Sequence, residues 1–324
     1  MKKIVILVVI LFVIGCSYNR QEAERSNLNK ARTLQAIKLL ESEGFLGFRC
    51  KMLDSKFVTE GSINDNPVKF LIDTGASFSF VNNSFAAKNN LLLNSKNSNL
   101  GEVKSAFGSI EADENIYIPK LEVSGLIYSN WPMHVLNVNR QILTLGSDFL
   151  FFNQAVLFCR YGIVMNSSEK SSQLASFLEA SDYDSSPILL GNGEPLEENI
   201  PDFQGITPYV TVNVNGEDKL MLIDTGATFS TVFKNHNIFH TQGVKTTNWR
   251  LSGASGKSKQ LNVTNLDSLK INDTFILKNE RIAIVDQQMD KLNKKVYGTI
   301  GMDLLAKKNM ILDYGNNKIY WSKD

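Results

Sequence analysis

The amino-acid sequence predicts a mostly β protein made of two pseudo-symmetric lobes, each a closed or barrel-like sheet, with a cleft between them. Three observations support this prediction. One stretch of sequence occurs twice, short apolar segments separated by turn residues fill both copies, and segments long enough to be helices are few. Many short strands with regular turn signals are typical of barrels and sandwiches.

The internal repeat is the strongest of these observations. Pro67–Ser79 reappears as Asp218–Ser230, and further along Thr144–Leu150 matches Thr299–Leu305. The offsets are 151 residues (224 minus 73) and 155 residues (301 minus 146). Two matches in the same order and at nearly the same offset indicate that the chain is a duplication of one unit.

Each copy contains a predicted hairpin that leads into the repeated segment. In the second copy, Val210–Val214 alternates apolar and polar residues and reaches Lys219–Ile223 through Asn215-Gly216, a strong hairpin signal. In the first copy, Lys56–Ile63 and Val68–Ile72 are the corresponding strands. In and next to the lobes, helices are predicted over Asn29–Glu43, Phe85–Asn90, and short segments after Gly146 and Gly301.

Composition narrows the function classes. The chain has 324 residues, a hydrophobic fraction of 43% and a formal net charge of +1, which is typical of a globular protein without a basic surface. We therefore expect no nucleic-acid partner. The three histidines, His134, His236 and His240, lack metal-ligand spacing with any cysteine, so neither a metal nor a cofactor is expected.

The N-terminus has the layout of an export signal. Lys2 and Lys3 precede an apolar run over Ile4–Ile14, and Gly15-Cys16 follows. The run is too short for a membrane span, which needs roughly 20 residues. Residues 1–15 are thus predicted to be a signal peptide.

Val13-Ile14-Gly15-Cys16 resembles the lipobox of bacterial lipoproteins, in which the cysteine carries the lipid. This resemblance implies a membrane anchor through Cys16 and a location in the cell envelope, at the outer membrane if the cell is Gram-negative. The alternative is an ordinary secretory signal in which Cys16 is incidental.

The predicted organisation follows from these features. Residues between the copies are rich in Ser, Glu and Asn, with prolines at 187, 195 and 201, and are expected to be irregular apart from a possible helix over Ser172–Ala180. The expected segments are a signal peptide (1–15), a lipidated tether with an N-terminal helix (16–50), a first lobe (51–166), a linker (167–205) and a second lobe (206–324).

Two cysteines remain once Cys16 is set aside. Cys50 and Cys159 form an even count in an oxidising compartment, so a disulfide is one interpretation. Two buried free thiols are the other, because spacing alone does not show whether the cysteines approach each other.

The chemistry lies in the doubled turn. Asp73 and Asp224 each follow an apolar run and precede Thr-Gly-Ala. One such turn is common in ordinary loops, but two in a duplicated unit can meet at a pseudo-two-fold axis. Two carboxylates roughly 3 Å apart share a proton, so one can activate water while the other polarises a carbonyl. The turns therefore indicate peptide hydrolysis without a covalent intermediate.

The chain resembles the retropepsin-like aspartyl peptidases over most of Lys56–Trp321. The resemblance implies that Asp73 and Asp224 are catalytic and that Thr74 and Thr225 hold the two lobes together. It also implies further residues: the rest of the active-site turns (Gly75, Ala76, Gly226 and Ala227), the glycines that pack beneath them (Gly146 and Gly301), and the flaps (Phe107, Gly108, Gly253 and Gly256).

This sequence departs from the family pattern in two respects. Retroviral enzymes carry one copy and dimerise, whereas this chain holds both copies and is expected to be active as a single chain. Pepsins hold both copies, but they usually have Ser or Thr where Ala76 and Ala227 stand here. No match to the flap tyrosine of pepsins is found.

Alternative interpretations accompany these assignments. The aspartates could merely stabilise turns in a duplicated β domain. Asp148 and Asp303 also recur in both copies, and we expect them to cap the short helices rather than to catalyse. Phe78 and Phe229 are expected in the core. The leading function is an endopeptidase acting on protein or peptide substrates; the alternative is a surface lipoprotein that binds peptides without turnover.

Overall fold

A computed structural model describes residues 23–94, 102–105, 108–138, 142–190, 206–214, 216–233, 245–252, 258–285 and 296–323. Within these ranges, strands form two eight-stranded sheets and one six-stranded sheet. Each eight-stranded sheet is one lobe, and the six-stranded sheet contains strands from both halves of the chain. The predicted mostly β fold of two similar lobes is confirmed.

The first lobe is a sheet that closes on itself. Its strands are β2 (Lys51–Leu53), β3 (Lys56–Ile63), β4 (Asn66–Ile72), β5 (Phe80–Asn82), β6 (Glu102–Ser105), β7 (Gly108–Val123), β8 (Leu126–Leu136) and β9 (Leu143–Leu145). They lie in the order β2-β3-β4-β9-β5-β8-β7-β6, and β3 pairs with β7 as well, which closes the barrel. Helix α2 (Asn83–Lys88), a 3-10 helix (Leu91–Asn94) and helix α3 (Ser147–Phe152) complete this lobe.

The second lobe repeats this topology. Its strands are β13 (Leu189–Leu190), β14 (Pro208–Val214), β15 (Glu217–Ile223), β16 (Thr231–Phe233), β17 (Lys245–Ser252), β18 (Ser258–Lys270), β19 (Ile276–Val285) and β20 (Val296–Ile300). They lie in the order β13-β14-β15-β20-β16-β19-β18-β17, with β14 also paired to β18. Helix α5 (Met302–Lys307) corresponds to α3.

Parallel pairings set the position of the repeated aspartates. β4 pairs with β9 in parallel, and β15 pairs with β20 in the same way. Because parallel strands end at the same edge of a sheet, the Asp-Thr-Gly turn after β4 lies beside the glycine that follows β9. The same holds after β15 and β20, so each lobe brings its two repeated motifs together.

The six-stranded sheet joins the lobes. It consists of β1 (Leu46–Arg49), β10 (Val156–Phe158), β11 (Ile163–Asn166), β12 (Tyr183–Pro187), β21 (Ile311–Asp313) and β22 (Lys318–Ser322), in the order β1-β11-β10-β21-β22-β12. The antiparallel pair of β10 with β21 lies at its centre and comes from equivalent places in the two copies. The main core cluster contains residues of both lobes and of this sheet.

Two helices cover one face of the six-stranded sheet. Helix α1 (23–42) buries Asn29, Thr33, Ala36 and Leu40, which lie along one stripe of the helix. Its apolar residues pack with α4 (Leu174–Ala180) and with the side chains of that sheet. The N-terminal helix predicted over Asn29–Glu43 is thus already present at residue 23.

The segment between the copies is more regular than the sequence indicated. Its predicted helix is present as α4, but the expectation of irregular chain around Pro187 was wrong. β12 pairs along its length with β22, and Tyr183 is buried at its start. Pro187 is the last residue of this strand, and the strand lies at the edge of the sheet. Proline is tolerated there because an edge strand needs hydrogen bonds on one side only.

Cys50 and Cys159 are free and buried, so the disulfide interpretation was wrong. Burial raises the pKa of each thiol to about 12, which leaves both protonated and unreactive in the native protein. Cys16 lies outside the described residues, and the predicted lipid anchor with it. Among the helices that the structure describes, none is long and apolar enough to cross a membrane.

Candidate active site

Asp73 and Asp224 lie directly after buried strand ends. The last three residues of β4 and of β15 are buried in the lobe cores, so each strand carries its aspartate out of the core at a fixed position. The N–H of Asp73 donates to the Leu145 carbonyl at 3.0 Å, and that of Asp224 donates to the Ile300 carbonyl at 3.0 Å. The backbone of both aspartates is therefore anchored to the neighbouring parallel strand.

The threonines of the two turns hold each other. Thr74 Oγ1 donates to the Ile223 carbonyl at 2.7 Å and accepts from the Thr225 N–H at 2.9 Å. Thr225 Oγ1 donates to the Ile72 carbonyl at 2.8 Å and accepts from the Thr74 N–H at 3.1 Å. Both threonines are fully buried, so these reciprocal hydrogen bonds satisfy backbone groups that no water reaches.

The glycines of the turns let the two carboxyl groups meet. A Cβ placed on Gly75 would lie 2.6 Å from both carboxyl oxygens of Asp224, and one placed on Gly226 would overlap the Asp73 carboxyl. Only a residue without a side chain fits at either position. Each glycine also donates its N–H to Oδ1 of its own aspartate, at 3.0 Å for Asp73 and 2.8 Å for Asp224.

The electrostatics of the site are those of a coupled pair. The pKa of Asp224 is raised well above its usual range, first by burial, then by the charge of Asp73 and by a hydrogen bond between the two carboxyl groups. Two adjacent carboxylates repel each other, so the second proton leaves only at a much higher pH than the first. The arrangement therefore holds one shared proton over a wide pH range.

The glycines after β9 and β20 pack beneath the turns. A Cβ on Gly146 would lie 2.8 Å from the Ala76 carbonyl oxygen, and one on Gly301 would lie 2.9 Å from that of Ala227. The N–H of the residue after each glycine donates to the same carbonyl, at 2.8 and 2.9 Å. The positions inferred from the resemblance thus lie in direct contact with the two turns.

Asp148 and Asp303 tie the short helices to the turns. Asp148 accepts from the N–H and the hydroxyl of Ser79 at 2.9 and 2.8 Å, and Asp303 accepts from the same groups of Ser230 at 2.9 and 2.6 Å. Glycines occupy the N-cap positions of α3 and α5, but each aspartate also accepts the N–H of the next residue in the first helical turn, at 2.7 Å for Asp148 and 2.9 Å for Asp303. The structural role predicted for them is therefore present, at the second helical position instead of the N-cap. Burial raises the pKa of Asp148 to about 6.

The walls beside the turns differ between the lobes. In the first lobe Phe78 is half-buried, packs at the edge of a core cluster as expected, and lies against His134 with ring centroids 3.9 Å apart. Burial lowers the pKa of His134 to about 4, so this ring is neutral at ordinary pH. In the second lobe Phe229 is also half-buried, and strand register places Ala283 where His134 stands.

Hydroxyl groups after each turn reach across to the other lobe. Ser77 Oγ lies 2.7 Å from Thr207 Oγ1, and Thr228 Oγ1 donates to the Asp54 carbonyl at 3.1 Å. Ser77 and Thr228 occupy equivalent positions in the repeat, 151 residues apart (228 minus 77). Together with the threonines, they fix the relative position of the two turns.

A hairpin stands at each predicted flap position. β6 and β7 pair from Glu102 to Ser105, and β17 and β18 pair up to Ser252 and Ser258. Gly108 is the first residue of β7, whereas Phe107, Gly253 and Gly256 lie outside the described residues. The flap role of these four residues stays a prediction. Across the described ranges, no group of three or more His, Cys, Asp or Glu side chains could hold a metal ion.

Comparison with known families agrees with this geometry. Residues 59–151 match the family described as "gag-polyprotein putative aspartyl protease", and residues 210–304 match the family described as "Aspartyl protease". The chain contains two aspartyl protease domains. Each matched segment includes one of the two Asp-Thr-Gly turns and the glycine that packs beneath it.

Three solved structures are similar to parts of the chain. A retropepsin-like aspartic protease from Rickettsia conorii is 22% identical, with 37% of this chain and 97% of that chain covered and a TM-score of 0.31. The retroviral protease-like domain of Ddi1 from Leishmania major is 20% identical, with 30% and 77% covered and a TM-score of 0.26. The EIAV protease in complex with the inhibitor HBY-793 is 24% identical, with 29% and 85% covered and a TM-score of 0.24. A search of curated proteins gave no match.

Sequence reasoning missed several residues of the site. The contact of Phe78 with His134 and the inter-lobe contacts of Ser77 and Thr228 join residues that are far apart in the chain. Ser147, which hydrogen-bonds the Thr74 carbonyl, was also missed. Aligning the two copies at the offset of 155 residues would have drawn attention to it, because the equivalent residue in the second copy is Met302, which has no hydroxyl group (302 minus 147).

Thr74→Val is expected to destabilise the protein by about 2–5 kcal/mol, because valine keeps the shape but leaves the Ile223 carbonyl and the Thr225 N–H buried without partners. Chemical denaturation measures this change in the free energy of unfolding. Thr225→Val should have an effect of the same size.

The matched control is Thr228→Val, which removes only the contact with Asp54 at a half-buried position and should cost less than about 1 kcal/mol. Equal, small effects at Thr74 and Thr228 would contradict the role assigned to the buried threonines.

Proposed function

We propose that the protein is an aspartic endopeptidase in which Asp73 and Asp224 form one catalytic pair. The observation that carries the proposal is the meeting of the two carboxyl groups across reciprocal, buried threonine hydrogen bonds. A duplicated domain that needed its aspartates only for turn formation would have no need to bring both acids together. Two adjacent carboxylates destabilise the folded state unless the pair shares a proton.

The proposed reaction uses one proton and one water. The ionised carboxylate takes a proton from the water, and the resulting hydroxide attacks the peptide carbonyl carbon. The neutral carboxyl group donates a hydrogen bond and then its proton to the carbonyl oxygen as negative charge develops there. The tetrahedral gem-diol breaks at its C–N bond once the first carboxyl protonates the nitrogen, while one of its hydroxyl protons returns to the second carboxylate. An amine and a carboxylic acid leave, and the starting pair is regenerated without a covalent intermediate.

The fold suits a peptide in extended conformation. The catalytic turns lie at the contact of two lobes, and each lobe carries a hairpin in the described region, β6–β7 and β17–β18, at an equivalent topological position. Half-buried Phe78 and Phe229 stand next to the turns and offer apolar surface on either side. We infer that the substrates are unfolded or loosely folded protein segments and that a single chain forms the complete site.

We also propose that Cys16 is lipidated and that the active site faces the outside of the cytoplasm. The support is the sequence Val13-Ile14-Gly15-Cys16 after a charged and apolar leader. The helix that begins by residue 23 then leaves a short connection between lipid and folded body.

Asp73→Asn and Asp224→Asn should each lower kcat/KM by about 10²–10⁴-fold on a denatured protein substrate, because the amide neither activates water nor donates the proton at the same position. Asp273→Asn, at an exposed turn, is the control and should cleave like the unsubstituted enzyme. Cleavage by both active-site variants at the unsubstituted rate would overturn the proposal in favour of a contaminating protease or a peptide-binding role.

The pH profile of kcat/KM should be bell-shaped. Activity requires one proton on the pair, so it is lost at low pH when both carboxyl groups are protonated. Since the pKa of Asp224 is raised, the pair keeps its proton as pH rises, and activity is lost only when pH passes that raised value. Steady-state cleavage of a quenched peptide across the acidic and neutral range measures both limbs. Activity that increases steadily into alkaline pH would contradict a shared-proton pair.

Cys16→Ser should abolish incorporation of a clickable fatty-acid analogue and move the protein from the membrane fraction to the soluble fraction. Cys50→Ser is the control, because that thiol is buried in the folded body. Membrane retention and labelling of the Cys16→Ser protein would contradict the lipoprotein assignment without affecting the peptidase assignment.

A further inference from the structure

Two buried hydroxyl groups lie beneath the first catalytic turn. Ser147 Oγ donates to the Thr74 carbonyl at 2.8 Å, and the Tyr314 hydroxyl lies 3.2 Å from Ser147 Oγ. All three residues are at most 1% exposed. A serine hydroxyl has one hydrogen, and Ser147 uses it on Thr74, so the Tyr314 hydroxyl must be the donor to Ser147. The result is a directed chain from Tyr314 through Ser147 to Thr74.

The second lobe has the same backbone but not this chain. Tyr314 N–H donates to the Ala155 carbonyl at 2.9 Å, and the equivalent Cys159 N–H donates to the Met310 carbonyl at 3.0 Å. At the constant offset of 155, Met302 stands in the place of Ser147 (302 minus 147), and Cys159 in that of Tyr314 (314 minus 159). Neither of these residues carries a hydroxyl, so only the turn of Asp73 receives the chain.

This difference reaches the carboxyl pair through one peptide group. The Thr74 carbonyl and the Gly75 N–H belong to the same peptide unit, and the Gly75 N–H donates to Asp73 Oδ1 at 3.0 Å. Hydrogen bonds in series polarise one another, so a donor on the carbonyl makes the N–H of the same unit a stronger donor. A stronger donor on a carboxyl oxygen favours its ionised form.

We propose that Tyr314 and Ser147 are positioning residues that favour ionised Asp73, and thereby bias the pair toward Asp73 as the base and Asp224 as the acid; this rests on the proposed function. Tyr314 is buried in the core cluster that contains residues of both lobes, and its hydroxyl lies next to Ser147. Tyr314 contacts neither the substrate cleft nor a reacting atom, and it acts only through Ser147 and the Thr74–Gly75 peptide.

The direct backbone contacts of Asp224 act against this bias, because N–H donors on a carboxyl oxygen favour its ionised form. Its Oδ1 accepts from the N–H groups of Gly226 at 2.8 Å and Ala227 at 3.0 Å. The carbonyl oxygen of a protonated carboxyl accepts such bonds too, so a proton on Asp224 is carried by Oδ2.

Tyr314→Phe tests the inference with the smallest change, since it removes one oxygen and keeps the buried ring. The substitution should raise the lower of the two apparent pKa values of the aspartate pair by about 0.2–0.6 pH unit. This is the size expected when one hydrogen bond of a chain that ends on a charged group is lost. The second ionisation should stay in place. Substitution of a residue with only a structural role would lower thermal stability and activity at every pH, without changing one apparent pKa of the pair and leaving the other in place.

Ser147→Ala should also raise the lower apparent pKa of the pair. The double variant should shift it no further than Ser147→Ala alone, because both side chains act in one chain. Cys159→Ala, which removes the buried side chain at the position equivalent to Tyr314, is the matched control and should leave both ionisations in place. Thermal unfolding of each variant confirms that the protein compared is folded.

The measurement is a 13C NMR titration of aspartate carboxyl groups in the full mature chain, with the pair assigned by Asp73→Asn and Asp224→Asn. This readout needs no turnover, so it remains decisive if the chain proves to be inactive as a peptidase. A shift confined to the first ionisation in Tyr314→Phe and Ser147→Ala supports the inference. Titration curves that match the unsubstituted protein, or an equal shift in Cys159→Ala, would overturn it.

Discussion

The reciprocal hydrogen bonds of Thr74 and Thr225 are the constraint on which the site depends. Each hydroxyl accepts from the opposite turn and donates to the strand that ends in the opposite turn, so neither lobe satisfies its own buried backbone groups alone. An unpaired buried carbonyl or N–H costs roughly 1–3 kcal/mol. The two lobes can therefore separate only by exposing or orphaning these groups, and this holds the aspartates next to each other.

The close packing of the two turns leaves no room for a side chain at four positions of the site. Gly75 lies against the carboxyl group of Asp224, and Gly226 against that of Asp73. Gly146 and Gly301 lie against the carbonyl groups of the alanines that end the two turns. Side chains are excluded at all four positions. The carboxyl groups have no room to move apart, which makes their mutual repulsion, and hence the shared proton, a property of the fold.

The backbone is nearly symmetric, but the side chains around it are not. Phe78 lies against a histidine while the second lobe has Ala283 at that histidine's position, and Ser147 is replaced in the second copy by Met302. A duplicated chain can vary each half independently, which a homodimer of identical subunits cannot do. This freedom allows the two aspartates to take different roles and the two sides of the cleft to select different side chains.

The sequence predicted the parts that are local and repeated. The duplication, the strand pattern and the turns at Asp73 and Asp224 could be read because the same residues occur twice at one offset. It did not predict that Asp148 binds Ser79 in addition to the first turn of α3, because that depends on how β9 lies beside β5. Nor could Tyr314 be linked to Ser147, 167 residues away, before the six-stranded sheet was known.

The most direct test of the central claim is the stoichiometry with which a hydroxyethylene peptide mimic binds, measured by titration calorimetry together with the mass of the complex. If Asp73 and Asp224 form one site within one chain, the complex contains one mimic and one chain, and Asp73→Asn or Asp224→Asn each weakens binding at that single site. A saturated complex of one mimic with two chains, or of two mimics with one chain, would contradict it.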